Sequence, residues 1–413
     1  MPQMRKQGIQ GRKEEVNMDF ESIASIIFLL ILGILLYRNR SKLDTKQIIP
    51  YILYFSMYRT KLGLSLMDKW SSKYRKLTVW IGYFGIVIGF IGMALISFSL
   101  IQNLFMLFTK PAASSGVGLV LPFKAKGVFY VPFFYWIISI FVIAVVHEFS
   151  HGLIARANNI KVKSSGFAFL ALLVPIIPAA FVEPDEKTLK KRPYKEQLSI
   201  FAAGPLANIV LAFLLIGAMF AITPKIDSMI VPNGVVISDY VKGDFPAKAS
   251  GMQIGEIVQQ IDSNPVEYVD NLSMVLKSKK PGDAVTLKTD KSSYQITLGK
   301  NPDNETSAYL GAYLGQSTKI NDDFKARYGE FVPNALIWVY GLMVIMIVLN
   351  LGIGLFNLVP LGPLDGGRML QLAMHKFFGV EKGNKYWYYI GMFFLAIIFI
   401  NIAAGFGFLK LFR

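Results

Sequence analysis

Cysteine is absent from the 413-residue chain, which excludes a disulfide framework, a thiolate metal site and a cysteine nucleophile, and leaves the redox state of the compartment open. Charge is scarce too. Asp, Glu, Lys and Arg make up 17% of residues against 53% hydrophobic and 14% aromatic, a balance that argues against an ordinary globular protein and for the bilayer as solvent. Histidine occurs three times, at His147, His151 and His375, so each occurrence is informative. There is no long internal repeat and no low-complexity segment. A cleavable secretion signal is also missing: the apolar stretch from Ser22 to Tyr37 follows a mixed-charge leader and no small-residue cleavage site follows it. It reads as a retained span, with Met18 as an alternative initiator.

What the chain has in excess is apolar length and positive charge. A hydrocarbon core of about 30 Å needs roughly 20 apolar residues in a helix. Candidate spans lie near 22–37, 78–101, 128–150, 196–222, 333–358 and 386–409, the first being short. The net charge of +16 sits in short runs beside these segments and forms no continuous stripe, which is the pattern of membrane orientation and not of nucleic-acid binding. Residues 38–76 carry ten Lys or Arg against Asp44 and Asp68, whereas 102–127 carry only Lys110, Lys124 and Lys126. The former is therefore expected in the cytoplasm, and the third span runs inward to a second basic loop, 156–195.

Inside that loop, Gly166 to Pro184 is apolar, broken by Pro175 and Pro178, and flanked by basic residues at both ends. Orientation forbids a simple crossing, so a re-entrant hairpin is expected, with an interfacial loop as the other reading. From about 223 to 332 short alternating runs separated by turn residues indicate an α+β domain outside the cytoplasm, with a helix at Asn271 to Lys279.

Near the inner end of the third span the sequence VVHEFSHG sets His147 and His151 four residues apart. On a helix they share a face, a spacing that lets two imidazoles bind one Zn²⁺ while Glu148 between them serves as general base toward a water. A charged or polar group is costly inside a span, which raises the weight of this cluster above an interfacial histidine pair. His375, between Met374 and Lys376 in a short amphipathic stretch, reads as a surface residue. A catalytic zinc site commonly takes three protein ligands, and without cysteine a carboxylate is expected as the third. FNLVPLGPLDGGRML, at the inner end of the fifth span, supplies Asp365 on the same side as the histidine pair; the same aspartate also reads as a turn former or helix cap.

Three motifs in this order, HEFSHG, GPLAN (Gly204 to Asn208) and NLVPLGPLDGG (Asn357 to Gly367), resemble the site-2 protease family of intramembrane metalloproteases over about 128–222 and 333–370. The resemblance implies one Zn²⁺ held by His147, His151 and Asp365, with Glu148 as catalytic acid and base. It also implies that Asn208 and Asn357 help to hold substrate near the active centre, although either reads as well as an interhelical hydrogen bond. NGVVI (Asn233 to Ile237), PAKASGMQIGEIVQQID (Pro246 to Asp262) and KPGDAVTLKT (Lys280 to Thr289) resemble the PDZ-like domain inserted in many members. Ala179 stands where the re-entrant segment of the family often has Gly.

The expected fold is thus a multi-pass α-helical membrane protein of about six transmembrane helices plus a re-entrant hairpin, with an inserted extracytoplasmic PDZ-like domain. Its expected parts are an N-terminal membrane region (1–127), two halves of a catalytic core (128–222 and 333–385), the insert (223–332) and a C-terminal helix (386–413). The expected activity is zinc-dependent endoproteolysis of single-span membrane proteins in the bilayer, with the zinc toward the cytoplasm, a peptide ligand for the PDZ-like domain and no nucleic-acid partner. A membrane-anchored zinc protease acting on misfolded proteins, a non-enzymatic PDZ-bearing receptor or scaffold, and a transporter are the competing readings.

Overall fold

The computed structural model describes residues 20–49, 53–109, 115–172, 174–241, 243–302 and 304–408. The leader with Met18 lies outside them. The chain divides into two compact units, one of 1–217 with 342–413 and one of 218–341.

In the first unit a helix α1 (Phe20–Arg38) precedes a hairpin of β1 (Leu43–Ile49) and β2 (Leu53–Thr60). Helices α2 (Leu64–Lys73), α3 (Arg75–Thr109) and α4 (Phe133–Ala157) follow, then a second hairpin, β3 (Val162–Leu172) and β4 (Val174–Pro184), and then α5 (Tyr194–Met229). Helices α3, α4 and α5 are long and apolar enough to cross a membrane. They are apolar all round, and α3 exposes Trp80, Phe84, Phe98 and Phe105, as a helix bathed in lipid does. The inner face of α3 carries Gly82, Gly85, Gly89 and Gly92, all buried. An added Cβ at Gly82 would stand 3.1 Å from Ser199 Cβ, and one at Gly85 3.1 Å from Leu206, so the small stripe lets α5 lie close against α3.

The two hairpins join into one antiparallel sheet of order β1-β2-β3-β4, with Tyr58 opposite Phe167 and Ser165 opposite Val182. The segment read as a re-entrant hairpin is therefore an antiparallel β-hairpin, with register shifts at Val162/Ser164 and Leu170/Ala171, and part of the basic stretch 38–76 supplies its neighbours. Because β4 ends the sheet, one of its edges is unpaired within it.

The second unit contains β5 (Ile230–Tyr240), β6 (Ile257–Ile261), α6 (Val269–Ser278), β7 (Ala284–Thr289), β8 (Ser293–Thr297) and β9 (Ala312–Ile320). The strands form an antiparallel sheet of order β8-β7-β6-β5-β9 around a core that includes Val235, Ile237, Val258, Leu272 and Leu287. Helix α6 begins where Asn271 Oδ1 accepts the Tyr268 N–H at 2.9 Å, two residues before the start read from the sequence.

The chain returns to the first unit through α7 (Phe331–Phe356), then α8 (Asp365–Phe378) and α9 (Val380–Phe406). Helices α7 and α9 bring the helices of membrane-spanning length and composition to five among the described residues, beside the shorter apolar stretch Ile23–Arg38 in α1. The latter, at 1.5 Å per residue, spans about 24 Å, less than a typical hydrocarbon core.

Candidate metal centre

His147 and His151 face inward from α4, 8% and 9% exposed, with their Nε2 atoms 3.1 Å apart. Asp365 opens α8 and sets Oδ2 3.1 Å from His147 Nε2 and 3.4 Å from His151 Nε2. Its position comes from backbone contacts that only glycine permits. A Cβ at Gly366 would collide with the backbone of Leu358, and one at Gly367 with that of Leu361. Free of side chains, the first turn of α8 lies on the preceding loop, where the Gly366 N–H donates to the Asn357 carbonyl at 2.8 Å.

The arrangement passes two tests as a zinc site. Donors held about 2.0–2.1 Å from a shared tetrahedral centre stand roughly 3.3 Å from one another, and the three contacts observed span 3.1 to 3.4 Å. The space between them is also reserved. A Cβ at Gly204 of α5 would lie 2.5 Å from His147 Nε2 and closer still to His151 Nε2, so any side chain there would fill the place of an ion. His151 is oriented by the Ile200 carbonyl, which accepts from Nδ1 at 2.6 Å and so leaves the Nε2 lone pair directed at the site. Ile200 immediately precedes Phe201, the residue whose carbonyl loses its helical donor because Pro205 has no N–H.

Glu148, half-buried, points toward β4 and accepts the Val182 N–H through Oε2 at 2.9 Å. A cavity of about 550 Å³ is lined by both histidines, Glu148, Asn357, Asp365 and Arg368. Lys163 and Glu183 also line it, so water can occupy it. At its rim Lys163 meets Asp185 at 2.8 Å; this hydrogen bond, with that from Thr188, holds the Asp185 carboxyl down to about 2. The pair is therefore intact throughout neutral and mildly acid pH and is lost only as pH falls through that range.

The structure thus brings His147, Glu148, His151 and Asp365 together from α4 and α8. Asn208 of α5, fully buried, touches the group through His147 Nδ1, 3.2 Å from its Nδ2. Asn357 lines the cavity and ties down the first turn of α8. His375 stands apart and donates from Nε2 to Asn384 Oδ1 at 2.7 Å. Sequence reasoning assigned no role to the Val182 amide, to Gly204 or to Arg368. The place of Gly204 in GPLAN was the one available signal, since a backbone N–H has none.

A carboxylate one residue from a histidine placed to bind metal, facing a cavity open to water, is the equipment of a metallohydrolase, and five helices are long and apolar enough to cross a bilayer. Comparison with known proteins is more specific. Residues 135–398 match the profile of peptidase family M50. The chain belongs to that family and is a zinc metalloprotease of the site-2 type. It is 27% identical over 368 residues to an uncharacterized protein of Methanocaldococcus jannaschii, covering 85% of each chain. It is 24% identical over 251 residues to the zinc metalloprotease RasP of Shouchella clausii, covering 48% of this chain and 57% of RasP. Among solved structures, the PDZ domain of an SdrC-like protein from Listeria monocytogenes matches with a TM-score of 0.17 and 23% identity, covering 22% of this chain and 92% of that domain.

Proposed function

We propose that the chain is an intramembrane endopeptidase that cleaves single-span membrane proteins within or near their transmembrane segments, in regulated intramembrane proteolysis. One observation carries the reading: Val182, on the edge strand β4, donates its N–H to Glu148. The outward edge of β4 therefore runs beside the catalytic carboxylate. By the two-residue alternation of a strand, the N–H and C=O of Ala180 point out of the ladder as Val182 does. A helical substrate hides its carbonyls in its own hydrogen bonds. Once unwound, it can pair along this edge and present a carbonyl to the cavity.

His147, His151 and Asp365 are the residues that would hold one zinc ion, which when bound supplies Lewis acidity to a water and to the scissile carbonyl. Glu148 takes the proton of the attacking water and delivers it to the leaving amide nitrogen. Asn357, on the wall of the same cavity, holds the substrate backbone. The basic loops assign the cavity to the cytoplasmic side and the insert to the opposite side of a six-helix arrangement, with α1 as the thinnest span. The insert, an antiparallel sheet with helix α6 among its strands, is read as PDZ-like and as a filter or peptide-binding module for substrates.

The deciding experiment is incubation of purified protein with candidate single-span regulators, followed by mass spectrometry of the products. Glu148→Gln is expected to keep its zinc while cleavage falls by roughly 10²–10⁴-fold; an active Glu148→Gln protein sinks the assignment. Cleavage of soluble casein but of no membrane helix would favour the reading as a protease of misfolded proteins. Deletion of Asn233 to Gln316 is expected to leave zinc content unchanged and to widen the substrate range.

A further inference from the structure

A ligating imidazole binds metal through the lone pair of one nitrogen, so the other nitrogen must carry the proton and find an acceptor. For His151 the acceptor is the Ile200 carbonyl, which has no proton to give. For His147, Nε2 faces Asp365 and His151, and Nδ1 faces the Asn208 amide nitrogen at 3.2 Å. Two donors cannot share that contact. With Nδ2 toward Nδ1, His147 carries its proton on Nε2, the nitrogen that should meet the metal.

We infer that Asn208 is a positioning residue that turns its amide by half a rotation, so that Oδ1 accepts from His147 Nδ1 and frees Nε2 for the ion. This rests on the reading of His147 as a ligand. Asn208 Oδ1 is buried and has no hydrogen-bond partner among the described residues, so no bond to that oxygen opposes the turn. The position is otherwise fixed. Asn208 is 0% exposed, and at Gly354 of α7 an added Cβ would stand 3.2 Å from its Cβ, so the helices hold the side-chain root while the amide end swaps. An amide is the one neutral side-chain group that offers a donor and an acceptor of nearly equal shape. Asn208 therefore accommodates His147 with and without metal, and the GPLAN segment serves the site twice, through the space left at Gly204 and through this acceptor.

The test compares Asn208→Asp, which can only accept, with Asn208→Leu, which can do neither. Zinc affinity of the full chain in detergent is read by competition with a chromogenic chelator. Asn208→Leu is expected to bind zinc about 10–100-fold more weakly, as loss of a hydrogen-bond partner to a ligating histidine typically does, while Asn208→Asp stays near the wild type. Unchanged affinity in Asn208→Leu, or equal loss in both, would overturn the inference. Should Asn208→Leu fail to elute as a folded species, Asn208→Asp alone decides, since retained zinc supports an acceptor role and lost zinc refutes it. His147→Ala separates the underlying reading: if that variant binds zinc normally, it is the ligand assignment that fails.

Discussion

At Gly204 an added methyl group would press on the rings of His147 and His151, the nearest atoms to it, and would stand where an ion would meet them. Gly204→Ala is therefore expected to purify as a folded protein with far less zinc than the wild type, as measured by atomic absorption; normal zinc content would show that the ion lies elsewhere. The residues of the centre were unequally legible. His147, Glu148 and His151 announce themselves because a helix converts four-residue spacing into one face. Asp365 required charge-derived topology and a family resemblance, because its neighbour in space is more than two hundred residues away in sequence. The Val182 amide was invisible, since a backbone donor is the same in every residue.

Among the elements, the proposed pairing with substrate falls on β4. Ala180→Pro removes one outward N–H from its edge while leaving the three residues proposed to hold zinc untouched. The expected result is normal zinc content with cleavage of a transmembrane substrate reduced by about tenfold, the equivalent of one hydrogen bond of roughly 1.4 kcal/mol; an unchanged rate would place substrate pairing elsewhere. That this sheet has four strands was not read from the sequence. Residues 43–60 were counted for their charges, although TKQII and YFSMYRT carry the β-branched and aromatic residues of strands. The partner that settles the matter, β3, lies about a hundred residues on, with Ser165 Oγ donating to the Leu62 carbonyl at 2.6 Å. Local pattern cannot name so distant a partner.

For the whole molecule, the absence of cysteine turns into an experimental convenience, because single cysteines can be introduced into a blank background. With a membrane-impermeant maleimide applied to intact cells, Asp290→Cys in the insert is expected to label and Lys187→Cys on the cavity wall to stay protected until the cells are opened. The reverse pattern would invert the orientation read from the basic loops. The broad plan was legible because hydropathy and charge report on the solvent each segment meets. The shortness of the first span was legible too, whereas the exact ends of α1, Phe20–Arg38, were not, because hydropathy does not fix helix ends.

The unpaired margin of β4 also bears on what happens when two copies of this protein meet. An open strand edge is an invitation to another open edge, and like would zip to like into inactive assemblies. Pro178 and Pro184 lack the N–H that such zipping needs, and they bracket Ala180 and Val182 on the same side of the strand. Between them the Val182 N–H is already given to Glu148, so few outward donors remain for a second copy to pair with. The prolines that interrupt this edge thus work against strand-to-strand zipping between copies.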